Sequence, residues 1–304
     1  MGGPTLDEII GRLAVFDGRR VTASRLSGGH MNEVFLVLAD DEKYVLHVAA
    51  PSGDALVPDR SVVLRNAEAA GATGAAPRLV DRLDDPPVMV VAYVEGEMMT
   101  PERLAPAEQV PRVAEVLRRL HAGPRFGNDI DMFATAERWL RVCDERGIAI
   151  PEGLREAMPQ VRAAARALAD RPMASVPSHN DLAPDNLIDD GRRLWLVDFE
   201  YSGNNDPCYD VGDVAFESDL DEDWRARLCE AYFGTTDPVL LARTFLHSLI
   251  AGVAWAVWAS AQRHLSTLDV DYAGIAETYR TDVEATLGSE RFGRWLHLVG
   301  GRRS

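Results

Sequence analysis

Few short patterns restrict a chain as much as Ser178-His179-Asn180-Asp181-Leu182-Ala183-Pro184-Asp185-Asn186-Leu187-Ile188 followed by Leu194-Trp195-Leu196-Val197-Asp198. The first part is too rich in Asn, Asp and Pro to continue a helix, and the apolar segments 187–188 and 194–197 read as short strands joined at Asp189-Asp190-Gly191, a hairpin-turn sequence. Such a hairpin would set Asn186 and Asp198 side by side. A loop Asp that can take a hydroxyl proton, with an amide and a carboxylate placed to hold magnesium, suits transfer of the terminal phosphoryl group of ATP to an alcohol. Asp181 is therefore the expected base, grouped with His179 as catalytic, and Asn186 and Asp198 are the expected metal ligands. Asx residues are also ordinary turn formers, but this spacing with a hairpin between favours the site.

At 304 residues the chain is long enough for two lobes, each with a core. A formal net charge of −16 argues against nucleic acid, whose phosphates need a basic face, and would suit a cationic substrate. Cys143, Cys208 and Cys229 are odd in number and lack metal spacing, which fits reduced thiols. The first residues show no export signal, so a cytoplasmic location is expected. The longest apolar run, 245–261, is interrupted by His247 and Ser248 and reads as a buried helix, not a membrane span. Basic residues are almost all arginine, and Lys43 is the single lysine.

Taken in order, residues 5–16 have helical spacing, then strands are expected at 21–26, 33–38 and 43–48. Gly28 and Gly29, with Asn32 following, form a turn between the first two strands, where glycine lets backbone amides approach phosphate. A helix at 60–71 carries Glu68, and strands follow at 77–80 and 87–94. The last would leave the sheet and offer backbone groups to adenine, within Val91 to Val94. Beyond it helices dominate, at 108–121, 133–146, 152–169, 221–233, 237–265 and 271–287. This gives an α+β, two-lobed arrangement: an antiparallel-sheet lobe over 1–95 that binds nucleotide, and a larger, mainly helical lobe over 96–304 that binds substrate. Trp255 and Trp258 lie three apart on the long helix, with Gln262 four further on, so they share a face. An aromatic pair near a carboxylate can hold a quaternary ammonium by cation–π attraction, although aromatics at this spacing are usually core.

Leu26-Ser27-Gly28-Gly29-His30-Met31-Asn32, Leu120-His121, the 179–186 loop and Asp198 together resemble the aminoglycoside phosphotransferase and choline kinase superfamily, which has the protein-kinase-like fold. The segments Asp198-Phe199-Glu200-Tyr201-Ser202-Gly203 and Tyr209-Asp210-Val211-Gly212-Asp213-Val214-Ala215-Phe216-Glu217 look most like its choline and ethanolamine kinase branch. The resemblance implies ATP and Mg2+, a small cationic amino-alcohol acceptor, Asp210 as a buttress of the loop, Glu217 facing the substrate ammonium and a W-x-x-W choline-binding helix. Nucleic acid and membrane partners are not expected. One departure is plain: the third strand of the family presents Lys or Arg to the ATP phosphates, and here that position is His47. His47 would serve if the phosphates and Glu68 raise its pKa. A kinase for an aminoglycoside or another hydroxylated amine, and a binding module without turnover, are the rival readings.

Overall fold

The computed structural model describes residues 4–26, 32–49, 56, 59–266 and 270–301. The glycine turn at Gly28 and Gly29 lies outside these residues, as does the side chain of Asn32.

The first lobe is a five-stranded antiparallel sheet. Its strands are β1 (Val21–Arg25), β2 (Asn32–Ala39), β3 (Glu42–Ala49), β4 (Leu79–Asp84) and β5 (Pro87–Ala92), in the spatial order β1-β2-β3-β5-β4. Alternation along β3 buries Tyr44 and Leu46, which join Val37, Val88 and Val90. Ile9, Leu13 and Phe16 cover this core from the N-terminal segment. That segment is helix only over α1 (Leu6–Ile10), where Thr5 and Glu8 form a capping box, and it breaks before a 3-10 turn at Ala14–Phe16. The sequence had suggested one helix across it.

Helix α2 (Arg60–Thr73) starts on an Asp59 cap and ends at Gly74 with φ of 73°, a left-handed conformation that glycine adopts freely. Its buried stripe is Val63, Leu64, Asn66, Ala67 and Ala70. Asn66 ties the two lobes: its Nδ2 donates to Asn128 Oδ1 at 2.8 Å and to Ser202, while its Oδ1 accepts from Gly127 N at 3.1 Å.

Past β5 the chain enters the second lobe through β6 (Glu97–Met98), which pairs with β8 (Leu187–Asp189) of a hairpin completed by β9 (Leu194–Leu196). The other short pair is β7 (Val176–Ser178) with β10 (Gly203–Asn205). Around them stand α3 (Pro101–Leu104), α4 (Gln109–His121), α5 (Met132–Arg146), α6 (Leu154–Ala169), α7 (Pro207–Glu217), α8 (Glu222–Phe233), α9 (Pro238–Leu265), α10 (Tyr272–Gly288) and α11 (Glu290–Gly300). Helix α9 is the axis of this lobe, buried from Ala242 to Gln262 and packed by α5, α7, α10 and α11. By length and composition it could cross a bilayer, yet 83% of its apolar window is inside the protein. Helix α7 reaches α9 through Gly212, where a Cβ would come 2.5 Å from Thr244 O.

Three helices, the four-residue α3 and the longer α7 and α11, were not expected. Almost every α7 side chain is buried, so it shows no amphipathic period to read. Helix α11 does have Phe292, Trp295 and Val299 on one face, but it is short and contains Gly293.

Asn66→Ala should uncouple α2 from the second lobe, since it removes these bonds and strands the Gly127 N–H. A loss of about 2–3 kcal/mol is expected, because an orphaned buried group costs its full desolvation. It would be read as a lower midpoint in denaturant melts at unchanged slope.

Candidate active site

The loop 179–186 is held from beneath by one carboxylate. Asp210, fully buried on α7, accepts from His179 N at 2.8 Å through Oδ2 and from Asn180 N at 2.9 Å through Oδ1. His121 Nε2 lies 2.9 Å from the same Oδ2, and His121 Nδ1 lies 2.6 Å from the Tyr232 hydroxyl. These donors keep the Asp210 pKa below its ordinary value despite burial. Asn180 is in the left-handed region (φ 64°), and its side chain fixes that turn by donating to Ser178, Tyr201 and Gly203 carbonyls while accepting from Asn205. Asp213, one turn along α7, accepts from Leu182 N at 2.7 Å. The backbone on either side of Asp181 is thus bonded to α7.

His179 is not among the reacting groups. Its Nε2 bonds the Val197 carbonyl at 2.8 Å, its ring packs on Phe199, and it is fully buried with its pKa lowered by desolvation. It joins the loop to the end of β9. Asn186 Nδ2 donates to Asp181 O at 2.9 Å, which leaves its Oδ1 as the atom for a cation. The hairpin brings the metal candidates to one end: Leu187 faces Leu196, and Val197 N donates to Asn186 O at 3.0 Å. Asp198 follows with φ of 62°, a sparsely populated conformation of the kind that functional sites retain.

Carboxylates crowd this end of the molecule. Burial, then the charges of Glu217, Asp198, Asp213 and Asp185, push the Asp181 pKa far up. Asp198 is raised by burial and by Glu200 and Asp185, against a partial offset from Arg60. Asp213 is raised by burial and Asp210, and Glu217 by burial and Asp213. Tyr279 donates to Glu217 Oε2 at 2.6 Å, whereas the buried Oε1 has no hydrogen-bond partner among the described residues. Such a cluster of carboxyl groups with raised pKa values is suited to binding cations. Among the described residues no three His, Cys, Asp or Glu side chains form a protein-only metal cage. An amide with a carboxylate suits Mg2+, which keeps waters and takes substrate phosphate oxygens as further ligands.

The tryptophans are part of the main core, with 4% exposure at Trp255 and 9% at Trp258. They also border the acidic cluster. Trp255 Nε1 points to Asp213 Oδ1 at 3.4 Å, and its ring packs edge-on against Tyr201 at 5.2 Å and Trp258 at 6.0 Å. Trp258 meets Tyr272 at 5.9 Å. Gln262 is buried near the end of the same helix. Core and wall are one set of residues here, and Tyr201, whose pKa is raised by burial and then by the charge of Asp181, brings an aromatic ring to the site.

On the nucleotide side the structure places Glu68 and Val91 otherwise than expected. His47 feels only desolvation, which lowers its pKa to about 4, so it is neutral near pH 7. Glu68, the sole acid on α2, is off the buried stripe and pairs with Arg82 of β4 at 3.0 Å, so it is not placed to raise His47. Val91 sits inside the sheet between Val45 and Leu79, its backbone already spent on pairing; Val94 lies past the strand end.

Asp213, Glu200, Tyr201 and Tyr279 went unassigned in the sequence. For Asp213 the signal was present: Asp210, Asp213 and Glu217 recur at intervals of three and four, one face of a helix.

With this geometry in view, the comparisons with known proteins are decisive about kinship. The phosphotransferase enzyme family (APH) matches residues 22–242. The chain belongs to that family. A choline/ethanolamine kinase family protein of Mesorhizobium loti is 27% identical, with a TM-score of 0.81 over 97% of this chain and 98% of that one. Ethanolamine kinase 1 of Mus musculus is 24% identical over 86% of this chain and 82% of its own. Protein LicA of Haemophilus influenzae is 31% identical over 32% of this chain, so the match spans 39% of LicA. The Mesorhizobium loti protein shares this sheet lobe and helical lobe over nearly its whole length.

Glu217→Gln tests the surplus of charge. A carboxyl whose folded pKa is raised binds protons that the unfolded chain has released, so stability falls as pH climbs from the ordinary value of 4.5 toward the raised one. In the absence of ligand the wild type should melt higher near pH 5 than near pH 8. The Gln variant should gain about 1 kcal/mol at the higher pH and little at the lower, a few degrees in a thermal scan.

Proposed function

We propose that the protein transfers the γ-phosphoryl group of ATP to the hydroxyl of choline or a closely similar amino alcohol, with Mg2+. The observation that carries this is the pairing of a rigidly held Asp181 with Glu217, whose buried Oε1 awaits a partner beside an aromatic wall. Phosphoryl transfer needs little covalent help, and positioning with charge neutralisation supplies most of the rate. Mg2+, held by Asn186 Oδ1 and Asp198, would neutralise phosphate charge.

Asp181 orients the acceptor hydroxyl and receives its proton. Its raised pKa makes it a better base once ionised, and a cationic acceptor next to Glu217 lowers the cost of that ionisation. Glu217 and Asp213 supply the counter-charge for the ammonium, while Tyr201, Trp255 and Trp258 give the apolar surface that a trimethylated nitrogen needs in place of hydrogen-bond acceptors. The kinship with proteins described as choline/ethanolamine kinases supports the same class of acceptor.

The test is ADP release with ATP, Mg2+ and a panel of choline, ethanolamine, thiamine and an aminoglycoside. Acceptor-dependent release is expected with choline or ethanolamine, and its acid limb should be displaced upward in pH, because the base must lose its proton. Asp181→Asn should reduce turnover by about 10²–10⁴-fold with little change in nucleotide affinity. Release only with an aminoglycoside would replace the acceptor, and silence across the panel with nucleotide still bound would make the protein a binding module.

A further inference from the structure

A cleft of about 740 Å³ opens where the two lobes join, at the turn end of the β8–β9 hairpin. Asn186 and Asp198 mark the other end of that hairpin, and neither they nor Asp181 line the cleft. One wall is the first lobe, from the end of α2 at Gly74 to Arg78 before β4. The opposite wall is the hairpin turn with Trp195, and the linker 92–95 closes the cleft between them. The linker is held close to the hairpin, since a Cβ at Gly96 would come 2.6 Å from Asp189 O.

The acids of this cleft already have partners. Asp190 accepts from Trp195 Nε1 at 2.7 Å through one oxygen and from the amides of Arg192 and Arg193 at 2.8 Å through the other, and Glu95 pairs with Lys43. Two of the nearby arginines are accounted for as well. The Arg193 guanidinium lies 3.6 Å from the Trp195 ring centroid and 3.7 Å from where a Gly74 Cβ would stand, and Arg119 donates to Gly74 O at 3.4 Å. Both therefore sit at the carbonyl end of α2, where a helix favours cations.

Arg78 and Arg192 differ. They come from opposite walls, both are exposed, and among the described residues neither guanidinium has a hydrogen bond or ion pair. In a chain of net charge −16 acids are plentiful, so two cations without partners on one cleft are unusual company. A guanidinium fork matches phosphate oxygens, and the volume is that of a site for a small organic molecule.

We propose that this cleft binds a phosphate-bearing anion between Arg78 of the sheet lobe and Arg192 of the hairpin turn. A dianion there offsets the repulsion of two like charges and joins the lobes at a place separate from Asp181. The site stands independently of the phosphotransfer reading.

The test is calorimetry on the full chain, free of Mg2+ and at low ionic strength, with inorganic pyrophosphate and glycerol 3-phosphate as probes. Wild type is compared with Arg78→Ala/Arg192→Ala and with Arg138→Ala/Arg294→Ala, a control pair of exposed arginines on α5 and α11 that changes the net charge equally. Wild type should bind at least one probe at a single site with Kd of about 1 mM or tighter; the cleft pair should weaken it at least about 10-fold, and the control pair less than about twofold. Preference for pyrophosphate would mark an inorganic anion as the occupant, and preference for glycerol 3-phosphate an ester. All of these substitutions are on exposed side chains, so thermal midpoints should stay within about 2 °C of wild type. No binding of either probe up to about 10 mM, or equal weakening in the two pairs, would show that Arg78 and Arg192 are solvated surface groups and overturn the proposal.

Discussion

Asp210 is the point on which the site depends. One buried carboxylate accepts the successive amides of His179 and Asn180 and faces His121, so three donors from two segments converge on a side chain with no exposure. A charge there is tolerable only because it is fully hydrogen-bonded; removing one partner would leave it uncompensated in a low-dielectric interior. What this secures is the backbone of the residues before Asp181, and Asp213 secures the residue after it. Asp181 is thus fixed through its backbone neighbours, and among the described residues no hydrogen bond to its carboxyl is seen. The helix that provides both anchors is itself buried nearly all round and approaches α9 closely through Gly212.

The same helix creates an electrostatic debt. Asp213 and Glu217 extend the face that carries Asp210, and with Asp181 and Asp198 they concentrate raised carboxyl pKa values in one enclosure. A structure optimised only for stability would not keep them. Bound cations would make their arrangement favourable, and the proposed function supplies two, a metal at Asp198 and an ammonium at Glu217. Tyr201, Trp255 and Trp258 are all buried and pack on one another, so this aromatic wall is part of the core and any role it has at the site is as a fixed surface.

The sequence was legible where period and turn chemistry are local. The sheet strands, the hairpin at Asp190-Gly191 and the long helices all follow from alternation, turn residues or helical spacing. Helix α7 was opaque as a helix because burial on every side erases the amphipathic signal, although its acidic residues marked one face. His179 and Glu68 were misassigned for a different reason. Their positions in a pattern say nothing of which way the side chain turns, and that was decided by the Val197 carbonyl in one case and by Arg82 in the other. The Arg60–Glu200 pair could not be found from spacing at all, since its members are 140 residues apart.

The two halves of the site therefore differ in how they are built. The acceptor side comes from contiguous segments locked by backbone bonds to α7, and little can shift there without breaking several hydrogen bonds at once. The nucleotide side is assembled across lobes, through Asn66 at the middle of α2 and Arg60 at its start. Both contacts join the same helix to the 198–202 segment. Any movement of α2 relative to the second lobe would consequently disturb the Asn66–Ser202 and Arg60–Glu200 contacts together, and with them the 198–202 segment.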